Sequence, residues 1–580
     1  MSYKKLVLVL FLIITLLFTM TGCNEELNKA NTVSKKDEKA VEKEKEYEPV
    51  EGGELVLPLT VLSTLNPLIS ENISYHYFSK LIFEGMFELD EKFNIENILA
   101  EDYSIKNGGK VVDIKLRDDV YWHDGEKLTS EDVLFTINTI KHADNENSYK
   151  KIFNNSLNGD IKNILDVEII DANNLEITFD KNYSNCVETL IFPIIPKHVF
   201  AKAGEGKKVY ENALKVENYK PIGTGPYKFI SYEKFKSITL EANDNWWKGK
   251  TYIETVIGKV LENEELMLTA FETDQVDMTL SKGTDWEKYA ESQRVNINEY
   301  VSNNYEFLGF NFNNETFKDG KNKGIRKALA YGIDRQAIIE EVYLNHGTEI
   351  DVPINPNSWL ASDNANTYQY NLSKAKEELE KAGWKDRNGD GICEDEKGNK
   401  LTLRLTTNSY NLLRLKTANM ITGDLRKLGI EVIKDYSDTV PDNLTEEMVK
   451  EQWESFEKKI AKGDFDIALL GWELSSIPEL SFAFHSSQIK NGTNFIRYNN
   501  KKMDNLLVDA FSAMPGDKKQ KAYEKLEKEI VDELPYISLL FRNKAILSSN
   551  KIQGDIKPNF NNVYNNIENW YIPKEYQKKK

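Results

Sequence analysis

The chain has 580 residues, of which 40% are hydrophobic, 11% aromatic and 29% charged; it is too apolar for a disordered chain and long enough for two or more cores. A formal net charge of −18 argues against a nucleic-acid partner and gives no attraction to anionic lipid. Three cysteines and six scattered histidines supply neither a disulfide scaffold nor a metal-spaced pair.

Lys4 and Lys5 precede an uncharged run from Leu6 to Met20, which is too short and too early for an ordinary membrane span. Met20-Thr21-Gly22-Cys23 follows. Small residues before a cysteine at the end of such a run resemble a bacterial lipobox. The resemblance implies a signal peptide over 1–22 and lipidation of Cys23. Acyl chains that each bury about 0.8 kcal/mol per methylene make a stable anchor. Losing Lys4 and Lys5 leaves 73 basic residues against 93 acidic ones. Residues 23–51 are poor in apolar side chains and dense in Lys and Glu, which reads as a solvated, flexible tether. Cys186 and Cys393 read as two buried free thiols, with a disulfide between them as the alternative that an extracytoplasmic setting allows.

Structure begins near Gly52-Gly53, with Leu55-Val56-Leu57 as a strand. Val112, Ile114 and Leu116 alternate with charged residues, as do Leu175, Ile177 and Phe179 with polar ones, and both runs predict half-buried strands. Thr129 with Asp132 predicts a capped helix, with Val133, Leu134, Ile137 and Ile140 on its inner face. Asp334 caps a short helix, and Asn371 caps another that stops at Gly383. Leu401, Leu403 and Leu405 alternate with polar residues. Ile467 to Leu470 is continuously apolar and ends at Gly471, as in a strand buried on both faces. Asp517 with Gln520 predicts the cap of a late helix. The class is mixed α/β, with no later membrane span.

Some motif-like runs have plain readings. Asp124-Gly125 is a turn, and His123 packs beside it. Gly223-Thr224-Gly225-Pro226 has no Lys-Ser/Thr after it, so it is a turn into a strand at Tyr227 rather than a phosphate loop. Trp246-Trp247 reads as core. Asp386, Asn388 and Asp390 alternate before Gly391 like the first half of a calcium loop, but Lys397 stands where the bidentate Glu belongs. No metal is expected, and this weak calcium-like turn is read as solvated. There is no Gly-x-Ser-x-Gly elbow and no Rossmann fingerprint, so no enzyme is indicated.

Nine blocks, in order along the chain, carry a family resemblance. They include Gly52-Gly53-Glu54-Leu55 with Leu65-Asn66-Pro67-Leu68, Ile82-Phe83-Glu84-Gly85-Met86, and Trp122-His123-Asp124-Gly125 running to Val133. Pro221 to Tyr227, Asn245-Trp246-Trp247, Ile325 to Arg335, Ala382-Gly383-Trp384, Gly471-Trp472 and Leu534-Pro535-Tyr536-Ile537 complete the series. Together they resemble the bacterial extracellular solute-binding proteins of family 5, the oligopeptide- and nickel-type receptors of ABC importers.

The resemblance implies a fold, a function and a place. The fold is α/β, periplasmic-binding-protein-like class II, with two lobes around a hinge and an additional inserted domain. Residues 52–78, 201–304 and 537–580 would form lobe I, 79–200 the inserted domain and 305–536 lobe II. The function would be capture of a small solute, an oligopeptide first, by lobe closure and its delivery to ABC permease subunits. No cofactor is implied. The protein would be extracytoplasmic and lipid-anchored to the bacterial cell membrane. The alternatives are a non-peptide ligand such as a metal chelate or oligosaccharide, a sensing or adhesion lipoprotein, or a surface hydrolase. The implied ligand-binding residues are Leu68, Ile69, Ser70 and Asn72 on one side and Gly471, Trp472, Glu473 and Ser475 on the other. In peptide-binding relatives an acid three places after Gly-Trp grips the peptide ammonium. Ser475 stands there in this chain, with Glu473 two residues earlier on the same strand face.

Overall fold

The computed structural model describes residues 47–145, 161–201, 206–217, 219–281, 285–292, 294–318, 322–365 and 367–577. The expected signal peptide, Cys23 and most of the tether lie outside these residues. The folded body is the unit from Val50 onward.

The predicted first strand forms as β1 (Glu54–Thr60). Its Leu55, Leu57 and Leu59 are fully buried, each contributing about 2 kcal/mol by removal from water. Phe87–Leu89 (β2) and Ile95–Asn97 (β3) make a short antiparallel pair. Ala100–Lys106 (β4), Val111–Leu116 (β5), Ile164–Ile169 (β6) and Asn174–Phe179 (β7) form an antiparallel sheet in the order β4-β5-β7-β6. The apolar members of both alternating runs point into its core. Tyr227–Glu233 (β8), Ser237–Ala242 (β9) and Thr255–Leu261 (β10) return to β1 in the order β1-β10-β9-β8. β1 is an edge strand, and the chain covers that edge. Val56 N–H donates to the Asp277 carboxylate at 2.8 Å and Thr60 N–H to the Ser74 hydroxyl at 3.0 Å.

Met278–Ser281 (β11), Val295–Phe310 (β12), Gly347–Thr348 (β13), Thr402–Thr407 (β14), Glu431–Asp435 (β15), Ile467–Glu473 (β16) and Tyr536–Ser549 (β17) build a seven-stranded mixed sheet. Its order is β11-β17-β12-β16-β14-β15, with β13 on β17. Ile467 to Leu470 is buried on both faces, as its unbroken apolar run requires.

Two large cores result. The first unites β1, β5, β7 and β9 with Trp570 and Ile572 from the C-terminal segment. The second gathers β14, β16 and the helices around Phe307, Leu308 and Phe310. β12 and β17 run through both. Tyr300 and Ile546 pack in the first core, whereas Tyr305 and Phe541 pack in the second. Between them the antiparallel register shifts from Val301↔Asn543 to Tyr305↔Phe541. The lobe borders expected at 304/305 and 536/537 therefore fall inside continuous strands. Ile537 to Phe541 belongs to the second core, because a strand is one apolar run in sequence whichever core each half enters.

Local capping follows the sequence in most places. Asn371 accepts from Lys374 N–H at 2.9 Å and Asp334 from Ala337 N–H at 3.0 Å; Gly383 adopts φ +90° past the helix end. At Thr129 only half of the capping box forms. Asp132 accepts from Thr129 N–H at 2.9 Å, and the Thr129 hydroxyl donates to the same carboxylate. The late helix differs from expectation, since its cap is Gly516 at φ +85° and Asp517 is the first helical residue. The Gln520 amide donates instead to the Trp359 carbonyl at 3.3 Å. Cys186 and Cys393 are buried, free thiols.

Candidate binding site

A cavity of about 390 Å³ opens where the two cores meet. Its wall on the first core is built by the loop Leu68–Asn72 and the helix Ile73–Ser79 that follows. Asn66 shapes that loop from below, donating to Ala213 O at 2.7 Å and accepting from Leu68 N–H at 3.0 Å. Asn72 then caps the helix by accepting from Tyr75 N–H at 2.9 Å, and its amide donates to Thr60 Oγ1 at 2.7 Å, fixing the helix start to the end of β1. Ser70 and Asn72 line the cavity. Leu68 is fully buried in the first core, and Ile69 packs against it.

The opposite wall comes from the middle of β12, at its register break, and from the end of β16. β16 pairs with β12 along its whole length, but its ladder with β14 stops at Leu469. Leu470 to Glu473 therefore has no strand partner on that edge among the described residues. Glu473, at the end of β16, and Leu474, Ser475 and Ser476 just after it all line the cavity. Ser475 Oγ accepts from Ile477 N–H at 2.9 Å. Trp472 faces the other way and stacks on Phe307 of the second core at 6.0 Å. Gly471 lies over a bidentate ion pair in which Arg414 donates to Glu306 at 2.8 and 3.2 Å. A Cβ at Gly471 would stand 2.3 Å from Arg414 Nη2. The two expected segments thus share one cavity through Ser70, Asn72, Glu473 and Ser475, while Leu68, Ile69, Gly471 and Trp472 are turned away from it or packed beneath.

The cavity's charges are mostly neutralised within the wall. Lys80 pairs with Glu88 at 2.6 Å and Lys248 with Glu568 at 3.2 Å. Glu84 accepts from Thr224 Oγ1 at 2.8 Å and from the indole N–H groups of Trp246 and Trp247, each at 3.1 Å. Burial pushes the Glu84 carboxyl up to about 7, against those three hydrogen bonds that lower it. Burial lowers His76 to about 3, aided by Lys80, so it is neutral at pH 7. Burial also lifts Tyr77 to about 12, and the negative charge of Glu473 adds to this. The Glu473 carboxylate has no hydrogen-bond or ion-pair partner among the described residues.

The remaining motif residues act as scaffold around this wall. His123 Nε2 donates to Gly225 O at 3.1 Å and Nδ1 accepts from Gly223 N–H at 3.2 Å. It thereby ties the Trp122-His123-Asp124-Gly125 turn to the Gly223-Thr224-Gly225 turn, and burial lowers it to about 4. Gly223 is needed for close approach, because a Cβ there would lie 1.8 Å from Ile82 O. Distant from the cavity lining, the Asp386, Asp390 and Glu394 carboxylates lie within 4.8 Å of one another. Asp386 accepts from Gly389 and Gly391 N–H groups at 2.7 and 3.0 Å, and Lys400 donates to Asp390 at 2.7 Å. Asn388 points its amide N–H at Glu394 at 2.6 Å, as a donor.

Sequence reasoning did not single out Tyr77, Tyr300, Asn303, Lys544 or Asn562 as cavity residues. They come from segments remote in the chain, and none carries a local signal. Glu84 had one, a lone carboxylate after the run Leu81-Ile82-Phe83.

Residues 94–494 match the family described as "Bacterial extracellular solute-binding proteins, family 5 Middle". The chain is 31% identical over 536 residues to the oligopeptide-binding protein AppA of Bacillus subtilis (strain 168), covering 91% of this chain and 93% of the relative. The solved structure of AppA from Bacillus subtilis in complex with a nonapeptide superposes with a TM-score of 0.61 at 28% identity, over 91% of this chain and 100% of that one. NikZ from Campylobacter jejuni in complex with Ni(L-His) gives 0.63 at 26% identity, over 89% and 99%. With most of its length matched by the family and by these relatives, and with the two-core α/β fold they share, the chain belongs to the bacterial extracellular solute-binding proteins of family 5.

Proposed function

We propose that the chain is the receptor of an ABC importer that takes an oligopeptide into the cavity between its two cores, closes on it and delivers it to the permease. The observation that carries this reading is the edge of β16 from Leu470 to Glu473, which has no strand partner among the described residues and ends at the cavity. Such an edge offers main-chain N–H and C=O groups to an extended ligand by strand addition. The names of the relatives support it, AppA being an oligopeptide-binding protein with a nonapeptide complex. Closure removes water, which strengthens each of these polar contacts. Nothing in this cycle alters the ligand covalently, so the receptor is a binding protein rather than an enzyme. Lipidation at Cys23 anchors it outside the cytoplasm, with residues 23–51 as the tether.

A second ligand class is favoured by one observation. Ser475 stands where the resemblance implies an acid, and its hydroxyl already accepts from Ile477 N–H. That weakens dependence on a ligand ammonium and leaves room for a non-peptide solute, as in the relative holding Ni(L-His). Native mass spectrometry of the purified chain separates the two. A co-purifying peptide series supports the first reading, and a single non-peptide mass overturns it.

A further inference from the structure

The two cores also touch through groups that belong to no strand ladder. Ser184 N–H donates to Phe511 O at 2.9 Å, and the Tyr183 and Phe511 rings meet at 5.0 Å. Lys181 Nζ sits 4.8 Å from the Phe511 ring. Beyond Phe511, at the start of the helix Asp517–Glu533, Lys519 pairs with Glu188. Its side chain is only 2% exposed and that of Glu188 only 13%. The Trp359 ring lies 5.8 Å from the Lys519 ammonium. Trp359 N–H in turn donates to Lys92 O at 2.9 Å. Lys92 and residues 181–188 lie in segments packed on the first core; Trp359 and Lys519 lie in segments packed on the second.

A lysine this buried, facing one carboxylate from the opposite core, is stable only while the two surfaces stay together. Separation returns both charges to water, so the contact is reversible in a way that an apolar seam is not. The same helix also supports the binding cavity. Tyr523 OH donates to Pro478 O at 2.8 Å, just after the cavity residues Ser475 and Ser476. One rigid element therefore carries both the charged contact and the wall behind Ser475.

We propose that Glu188–Lys519, with Tyr183–Phe511 and Lys92–Trp359, forms a closing latch that holds the two lobes together and sets how long a ligand stays enclosed. The proposal rests on the reading above that the lobes open and close; it specifies which residues outside the cavity decide the balance.

Hydrogen exchange of the full chain without ligand tests it. The Ser184 and Trp359 amides both donate across the contact, so their exchange reports its opening directly. Lys519→Met keeps the apolar stem and removes the ammonium. Both amides are expected to exchange at least tenfold faster, and together, while those of Val112–Leu116 and Ile467–Leu470 keep the parent's rates. Should Lys519→Met loosen both cores, Glu188→Gln, which alters the other partner, decides with the same readout. Unchanged exchange at Ser184 and Trp359, or acceleration at one of them alone, overturns the latch. A chain in which native mass spectrometry finds no bound solute would instead overturn the receptor reading and leave the exchange result standing.

Discussion

Replacing Glu84 by glutamine probes the cavity wall through a single proton. The folded chain lifts this carboxyl to about 7 from an ordinary 4.5, chiefly by burial. Below pH 4.5 the group is protonated whether the chain is folded or not, and it adds no pH dependence. As pH rises from 4.5 to 7, the unfolded chain gives up the proton and the folded chain keeps it, so stability falls across that window and stays lower above it. At about 1.4 kcal/mol per pH unit the ceiling is about 3 kcal/mol. Water in the adjoining cavity screens the charge, and ~1.5 kcal/mol is the expected effect. The amide of Glu84→Gln cannot ionise, so the variant's stability relative to the parent should improve by that amount between pH 4.5 and pH 8. Any constant cost of weaker hydrogen bonds to Trp246, Trp247 and Thr224 cancels in this difference. Glu527, also raised to about 7 by burial, titrates in both chains and cancels too. Urea unfolding followed by tryptophan fluorescence at pH 4.5, 6 and 8 provides the measurement. A parent-to-variant difference that stays flat across these pH values, or moves against the variant as pH rises, refutes the argument.

Three further outcomes are expected. Gly471→Ala forces a methyl group against Arg414 Nη2 and disturbs its buried pair with Glu306; a loss of about 3 kcal/mol in denaturant unfolding is expected, and an unaffected midpoint would show that the pair yields freely. Ser475→Asp should raise affinity for unblocked peptides over amino-acetylated ones in paired isothermal titrations. A parent that already rejects acetylated peptides strongly would mean that Glu473 supplies the ammonium anchor. Cys23→Ser should release the protein from the cell surface or leave its leader uncleaved, and a parent that takes up no fatty-acid probe would refute the lipoprotein reading.

Features fixed by neighbouring residues were legible in the sequence. The caps at Asn371 and Asp334 need only one side chain and the amide three residues on. The alternation at Val112, Ile114 and Leu116 needs only one face to be buried. Where geometry depended on backbone sign or on a distant partner, the sequence was silent. The late helix takes its cap from Gly516 because that position has positive φ. The Trp246-Trp247 pair looks like core, yet both indoles turn their N–H groups to Glu84, which lies 162 and 163 residues away. In the same way, the motif positions located the two segments of the cavity but not their facing: Trp472 and Leu68 pack inward because strand alternation and loop closure are settled by neighbours across the sheet.

The long pair β12–β17 has a consequence for how the polypeptide reaches its native state. Val295 is matched with Ser549 and Gly309 with Tyr536, β1 waits for β10, and Trp570 and Ile572 complete the first core. The seven-stranded sheet, the β1-containing sheet and both cores thus close loops of about two hundred residues or more, an arrangement of high contact order that folds slowly because loop-closure entropy precedes any stabilising contact. Neither core can be finished before the C-terminal strand has been synthesised. Until then β12 presents an open edge along an apolar strand, the kind of surface that pairs with other chains. The length of time spent in that state, rather than the stability of the finished protein, should set how much of it survives production and how much it needs chaperones.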